Sequence, residues 1–244
     1  MTRHRLDELL VQRGLYSSRS RARDAIARGT VRIDGVLATK PAQNTHADSQ
    51  IEVVDEGQKY VSRSALKLKH GLNFFAIDPK NLNCLDIGAS TGGFTQVLLE
   101  HGARHVTAID VGHGQFDTSL QSDLRVTSIE GLNSRDLTAD HLKHSINLIA
   151  CDVSFISLKL ALPAALAIVE SGAQLIALIK PQFEAGRDAV GRGGIVSDPH
   201  EHERVCKEIS EFLTAENWQV TGISPSSIEG GDGNKEFLIA AVKA

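Results

Sequence analysis

The sequence predicts an α/β architecture: a seven-stranded, mostly parallel sheet with helices on both faces, preceded by a small basic α+β unit. Three observations carry this. From Cys84 onward, apolar strand-like runs alternate with helical periodicities, the pattern of parallel strands linked by crossover helices. One such run turns through glycines into a helix, in Leu85-Asp86-Ile87-Gly88-Ala89-Ser90-Thr91-Gly92-Gly93-Phe94-Thr95. The first 32 residues hold eight arginines against three acidic residues, although the whole 244-residue chain has a net charge of −4. The front of the chain therefore differs in character from the rest and points to a nucleic-acid-facing end.

Taken in order, Leu6, Leu9 and Leu10 recur at helical spacing and Gly14 ends that helix. Ser18 caps a second helix. In it Ala22, Ala25 and Ile26 form the apolar stripe, Arg19 and Arg23 share another face, and Gly29 closes it. Val31-Arg32-Ile33, Asp34-Gly35 and Val36 read as strand, turn and strand, and Ile51 to Val54 adds one more. Glu56 to Tyr60 breaks the periodicity, so residues 1–57 are expected to form one domain, 58–61 a linker and 62–244 a second domain. A helix starts at Ser62 and ends near Gly71. Strands follow near 83–87, 105–110, 125–130, 146–151, 173–180, 218–224 and 236–242, with helices notably over 93–101, 158–170 and 200–215. Ser224 to Lys235 joins the last two strands without a helix, which makes them a hairpin and the final strand antiparallel.

Composition narrows the function classes. No apolar run reaches the ~18 to 20 residues of a membrane span. The N-terminus is basic and then amphipathic, unlike a secretory signal, so a cytoplasmic protein is expected. Cys84, Cys151 and Cys206 are odd in number and lack a CxxC pair, which indicates neither a disulfide framework nor a zinc site. His200-Glu201-His202-Glu203 and the pair His141 and His144 do not share a helical face as ligand sets do, and no metal is expected.

The candidate chemistry gathers at strand ends. The glycine turn has neither the Gly-Lys-Ser/Thr of a phosphate loop nor GxGxxG spacing. It still brings Asp86, Gly88, Ser90, Thr91, Gly92, Gly93 and Phe94 to a nucleotide-like ligand, with free N–H groups at the new helix start. Asp110 ends the next strand, where an acidic group accepts hydrogen bonds from ribose hydroxyls. Asn133 and Asp136, beyond the third strand, are alternatives for an adenine amino group. Asp152 and Lys180 end the fourth and fifth strands and Glu236 opens the last. A lysine ending a buried strand needs solvent, a partner or a substrate. The segment Glu184 to Gly194, rich in glycine and arginine, reads as a mobile loop in which Arg187 and Arg192 can clamp phosphates.

Three resemblances add to this reading. The glycine turn resembles motif I of S-adenosylmethionine-dependent methyltransferases, which implies a Rossmann-like fold and S-adenosylmethionine as cofactor. Residues 4–56, with RLDELL, SRSRARDAI and VRIDGV in order, resemble the alpha-L or S4 RNA-binding domain. Lys67, Asp152, Lys180 and Glu236 resemble the Lys-Asp-Lys-Glu tetrad of FtsJ-like ribose 2′-O-methyltransferases. Together they resemble the TlyA family of ribosomal RNA methyltransferases, historically also labelled hemolysins. The match departs at Gln58-Lys59-Tyr60-Val61, where some members have Arg-Ala-Trp-Val.

The resemblance implies a cytidine 2′-hydroxyl in small- or large-subunit ribosomal RNA as acceptor, with ribosomal RNA or subunits as partner. Lys180 would be the base, Lys67 would polarise the hydroxyl or hold a phosphate, Asp152 would orient Lys180 and Glu236 would complete the network. Arg3, Arg5, Arg19, Ser20, Arg23, Arg63, Arg187 and Arg192 would meet RNA. A non-catalytic RNA-binding assembly factor is the alternative, and a membrane-active hemolysin a weaker one.

Overall fold

The structure, a computed structural model, describes residues 3–244. The chain divides into two compact units, one ending at Tyr60 and one beginning at Val61.

The first unit runs β1 (Arg3–Arg5), α1 (Leu6–Gln12), α2 (Arg19–Ala27), β2 (Val31–Ile33), β3 (Val36–Leu37), β4 (Asn44–His46) and β5 (Ile51–Val53). Leu6 and Leu10 of α1 meet Ala22, Ala25 and Ile26 of α2 in a core completed by Tyr16, Val31 and Ala38. Ser18 caps α2 through the N–H of Arg21. Asp34 and Gly35 both have positive φ, 48° and 80°, the conformation a two-residue hairpin turn requires between β2 and β3. The β1–β4 pair has no signature in the sequence, because three residues are too few to show an alternation.

The second unit begins with α3 (Ala65–Phe74) and continues β6 (Asn83–Ile87), α4 (Gly93–Glu100), β7 (His105–Asp110), α5 (Thr118–Gln121), β8 (Val126–Glu130), β9 (Leu148–Cys151), α6 (Leu158–Ala161), α7 (Pro163–Ile168), β10 (Gln174–Ile179), α8 (Pro181–Glu184), α9 (Pro199–Ala215), β11 (Trp218–Pro225) and β12 (Phe237–Lys243). The seven strands lie in the order β11-β12-β10-β9-β6-β7-β8, with β12 antiparallel to both neighbours and the other contacts around β6 parallel. The order reverses beside β6, which has β7 on one side and β9 on the other, so the carboxyl ends of these strands open a crevice. Leu85, Ile149, Leu175, Ile179, Ile209, Trp218 and Ile239 belong to the core beneath it.

Two sequence expectations change here. The single helix over 158–170 is two helices, because Pro163 has no N–H to continue α6 and instead starts α7. The helix at 62–70 does not end near Gly71 but runs to Phe74. Gly71 acts as a packing glycine and not a stop: a Cβ there would lie 2.5 Å from Ile176 Cδ1 of β10. That close approach of α3 to the sheet carries Lys67, one turn earlier on the same helix, toward the sheet end.

Candidate active site

Strand register brings three of the tetrad together. Cys151 pairs with Ala177 and Ile179 with Phe237, so Asp152, Lys180 and Glu236 leave three adjacent strands at one edge. Lys180 Nζ lies 2.6 Å from Asp152 Oδ1 and donates to Ser154 Oγ at 2.9 Å. Lys67 Nζ donates to Glu236 Oε2. Lys67, Lys180 and Glu236 are all buried, at 5, 8 and 4% exposure, so these are two desolvated ion pairs and not surface charges. Burial pushes the Glu236 carboxyl up, and the charge and hydrogen bond of Lys67 oppose that.

The glycine turn sits against the same edge. The Asp152 N–H donates to Ile87 O at 2.9 Å. A Cβ on Gly88, whose φ is 81°, would lie 2.5 Å from Asp152 O. Cβ atoms at Gly92 and Gly93 would meet Leu120 Cδ1 at 2.5 Å and Ser64 Oγ at 2.7 Å. At all three, the space a side chain would need is already filled by protein, so the missing Cβ also serves the packing of the turn against its neighbours. The turn itself stays open at Ser90, which is exposed and has φ 48°. Thr91 is half-buried. The Phe94 side chain is buried at 2% exposure within α4, which leaves its main chain as the part that can face the turn.

Beneath the turn, Asp86 has no exposed surface. Its Oδ2 accepts from the Thr95 hydroxyl at 2.7 Å, while Oδ1 has no hydrogen-bond partner. Burial, with smaller contributions from Asp152 and Asp110, pushes its carboxyl up to about 7. Asp110 fastens two loops, accepting from Ser90 N at 2.8 Å and from Gly112 N at 2.7 Å. Each of its oxygens keeps a lone pair for a further donor. Asn133 caps a short turn, its Oδ1 accepting from Arg135 N at 3.1 Å, and Asp136 is exposed in that turn.

The arginines divide by what they already hold. Arg5 and Arg19 both bond the fully buried Asp7, each at 3.1 Å, so part of their charge braces α1 against α2. Arg3, Ser20 and Arg23 are exposed. Arg63 donates to Glu229 O at 3.1 Å. Arg187 and Arg192 are exposed and have no hydrogen-bond or ion-pair partner among the described residues. The segment around them forms two 3-10 turns, Arg187–Ala189 and Arg192–Gly194, in place of a featureless loop.

Four residues at the edge escaped sequence reasoning. Ser154 holds Lys180. Asn234, fully buried, accepts from Val196 N at 2.9 Å and donates to Gly194 O at 2.9 Å, tying the arginine segment to the β11–β12 connection. Glu130 accepts from the N–H groups of Gly114, Gln115 and Phe116, which hold its carboxyl below the usual range. Phe155, three residues beyond Asp152, is 91% exposed with φ 65° and its ring centroid lies 5.1 Å from that of Phe183. Exposure is set by the fold, so no signal in the linear sequence marked Phe155. Among the described residues no group of three or more histidine, cysteine or acidic side chains could hold a metal ion, and no helix is long and apolar enough to cross a membrane.

The sequence model of the FtsJ-like methyltransferases matches residues 60–243, the span that holds all four tetrad residues. The chain belongs to the FtsJ-like methyltransferase family. An S4 domain matches residues 4–51 of the first unit. A 16S/23S rRNA (cytidine-2′-O)-methyltransferase, TlyA of Mycobacterium tuberculosis, is 42% identical over 97% of this chain and 89% of its own. Hemolysin A of Brachyspira hyodysenteriae is 40% identical over 96% of this chain and 98% of its own. A solved structure from Streptococcus thermophilus, described under a hemolysin name, has a TM-score of 0.78 at 38% identity and covers all of this chain and 90% of that one. The expected seven-stranded, mostly parallel fold with an S4 domain in front is thus the fold of this FtsJ-like methyltransferase.

Proposed function

We propose that this chain transfers the methyl group of S-adenosylmethionine to a cytidine 2′-hydroxyl of ribosomal RNA. The observation that carries the reading is the meeting of two buried ion pairs, Lys67 with Glu236 and Lys180 with Asp152, at the sheet edge beside the Gly88 turn. The TlyA relative, with its rRNA (cytidine-2′-O) activity, supports the acceptor. A ribosomal substrate implies work in the cytoplasm. In this reading residues 1–57 grip RNA, 58–61 link, and 62–244 catalyse.

The residues at the turn fit a cationic sulfonium cofactor. Asp86, Asp110 and Asp152 lie close enough that the latter two both push Asp86 up, and Asp86 Oδ1 lacks a donor. A positive ligand relieves that accumulation of negative charge. Ser90, Thr91 and the main chain of Gly92, Gly93 and Phe94 would hold its amino-acid end, Asp110 its ribose, and Asn133 or Asp136 its base. Bound there, S-adenosylmethionine supplies an electrophilic methyl group.

The chain's own task is to deliver an oxygen nucleophile. A ribose hydroxyl is a very weak acid, and burial keeps the field of the Lys67 ammonium from being screened by water. Lys67, paired with Glu236, stabilises the developing oxyanion. Lys180, positioned by Asp152 and Ser154, acts as the neutral amine: its Nζ lone pair takes the hydroxyl proton, and the ammonium so formed pairs with Asp152. Phe155 offers an exposed face on which the base of the acceptor nucleotide stacks. Mapping of 2′-O-methyl groups in ribosomal RNA from cells with and without the protein tests the reading; identical maps would overturn it.

A further inference from the structure

A cleft of about 600 Å³ lies on the other side of Glu236 from Lys180's strand, between α9 and the facing ends of β11 and β12. The function above makes no use of it. Cys206, Ile223 and Phe237 give it an apolar interior, and Glu203, Glu229 and Lys235 stand on its lining. Its size falls within the range that holds small flat ligands.

Two features select its occupant. The side chains of Glu203 and Glu229 are exposed and have no hydrogen-bond or ion-pair partner among the described residues. Glu236 is already paired with Lys67, which leaves these two unpartnered carboxylates against the single lysine of the lining, a balance that attracts N–H donors. Glu236 itself lines the cleft and also binds Lys67, so the cleft begins where the acceptor ribose is to be held. Phe155 emerges after β9, and β10 lies between β9 and β12, so Phe155 and the cleft flank the reacting position from opposite sides.

We propose that this cleft is a subsite for an unpaired nucleobase bearing an exocyclic amino group, belonging to the nucleotide next to the one methylated. The apolar interior takes the faces of the base, and Glu203 or Glu229 accepts from its amino group. Adenine, cytosine and guanine qualify; uracil has no such donor. The inference rests on the ribose-methylation reading and adds to it a readout of neighbouring sequence.

The test uses the full chain and ribosomal RNA from cells lacking it. Cys206→Trp fills the cleft and replaces no tetrad residue. The expected result is a rise of at least tenfold in KM for RNA, with S-adenosylmethionine affinity by calorimetry within twofold of wild type. Glu203→Leu and Glu229→Leu, at exposed positions, decide the matter should the tryptophan variant misfold; one of them is expected to raise KM about tenfold. Once the methylated nucleotide is mapped, uridine at one flanking position should lower kcat/KM about tenfold for wild type and have no further effect in the affected glutamate variant. No methyl transfer by wild type to any ribosomal RNA overturns the ribose reading and this inference with it. Transfer by wild type with filled-cleft or both leucine variants within twofold, or indifference to uridine at both flanks, overturns this inference alone.

Discussion

Replacing Asp86 by Asn isolates the cost of a buried carboxyl beneath the cofactor turn. The side chain has no exposed surface, and its proton affinity rises from 3.8 to about 7, chiefly through burial. A carboxyl whose pKa is raised by folding stabilises the fold while protonated. That stabilisation fades as pH climbs above 3.8 and is gone a little above 7. At about 1.4 kcal/mol per tenfold change, the full span is on the order of 4 kcal/mol, of which roughly 2.5 kcal/mol falls between pH 5 and 8. Asn keeps the shape and cannot ionise. Urea unfolding of both proteins at several pH values measures the difference, read from the fluorescence of Trp218, the only tryptophan and a buried core residue of the second unit. The stability of Asp86→Asn relative to wild type should climb by about 2.5 kcal/mol from pH 5 to 8 and level off above about pH 7.5. A difference that stays flat with pH, or falls, would refute the assignment of a raised carboxyl to Asp86.

Four further outcomes are expected. Lys180→Ala should lower methyl transfer at least about a hundredfold, the usual scale of losing a general base, with S-adenosylmethionine binding retained; near-normal single-turnover rates would remove Lys180 from that role. Gly88→Ala should cost about 2 to 4 kcal/mol, because the new Cβ meets Asp152 O at 2.5 Å on a backbone with φ 81°, and thermal melting measures it. Glu236→Gln leaves the buried Lys67 ammonium without its counter-charge and should destabilise the second unit by about 3 kcal/mol, read by urea unfolding through Trp218. Arg187→Ala with Arg192→Ala should flatten the slope of log K for RNA against log salt by about 1.4, some 0.7 for each phosphate no longer neutralised, and an unchanged slope would mean that neither arginine meets the RNA.

The alternation of strands and helices was legible because each apolar run of the second unit is long enough to show its period, as Leu175 to Ile179 and the strand at Leu85 do. Boundaries were less so. Gly71 reads as a helix end in sequence, yet lies inside α3, because its missing Cβ is answered by Ile176, 105 positions away in the chain. Arg5 and Arg19 read as RNA contacts in sequence, yet share a buried carboxylate at Asp7, a contact that no linear spacing reveals.

By itself, then, the order of residues determined the fold class, the glycine turn and the strand-end groups Asp152, Lys180 and Glu236, since these depend on local periodicity and on residue type at strand ends. Lys67, within a helix, came with the resemblance to FtsJ-like methyltransferases. Only the tertiary structure decided who pairs with whom: Lys67 with Glu236, 169 residues apart, and Lys180 with Asp152 and Ser154. It also showed that the turn's glycines accommodate Asp152, Leu120 and Ser64 and leave the ligand to the backbone and carboxylates. The physical reason is that pairing depends on strand register and on the depth to which α3 sinks onto the sheet, and both are set by packing between segments far apart in the chain.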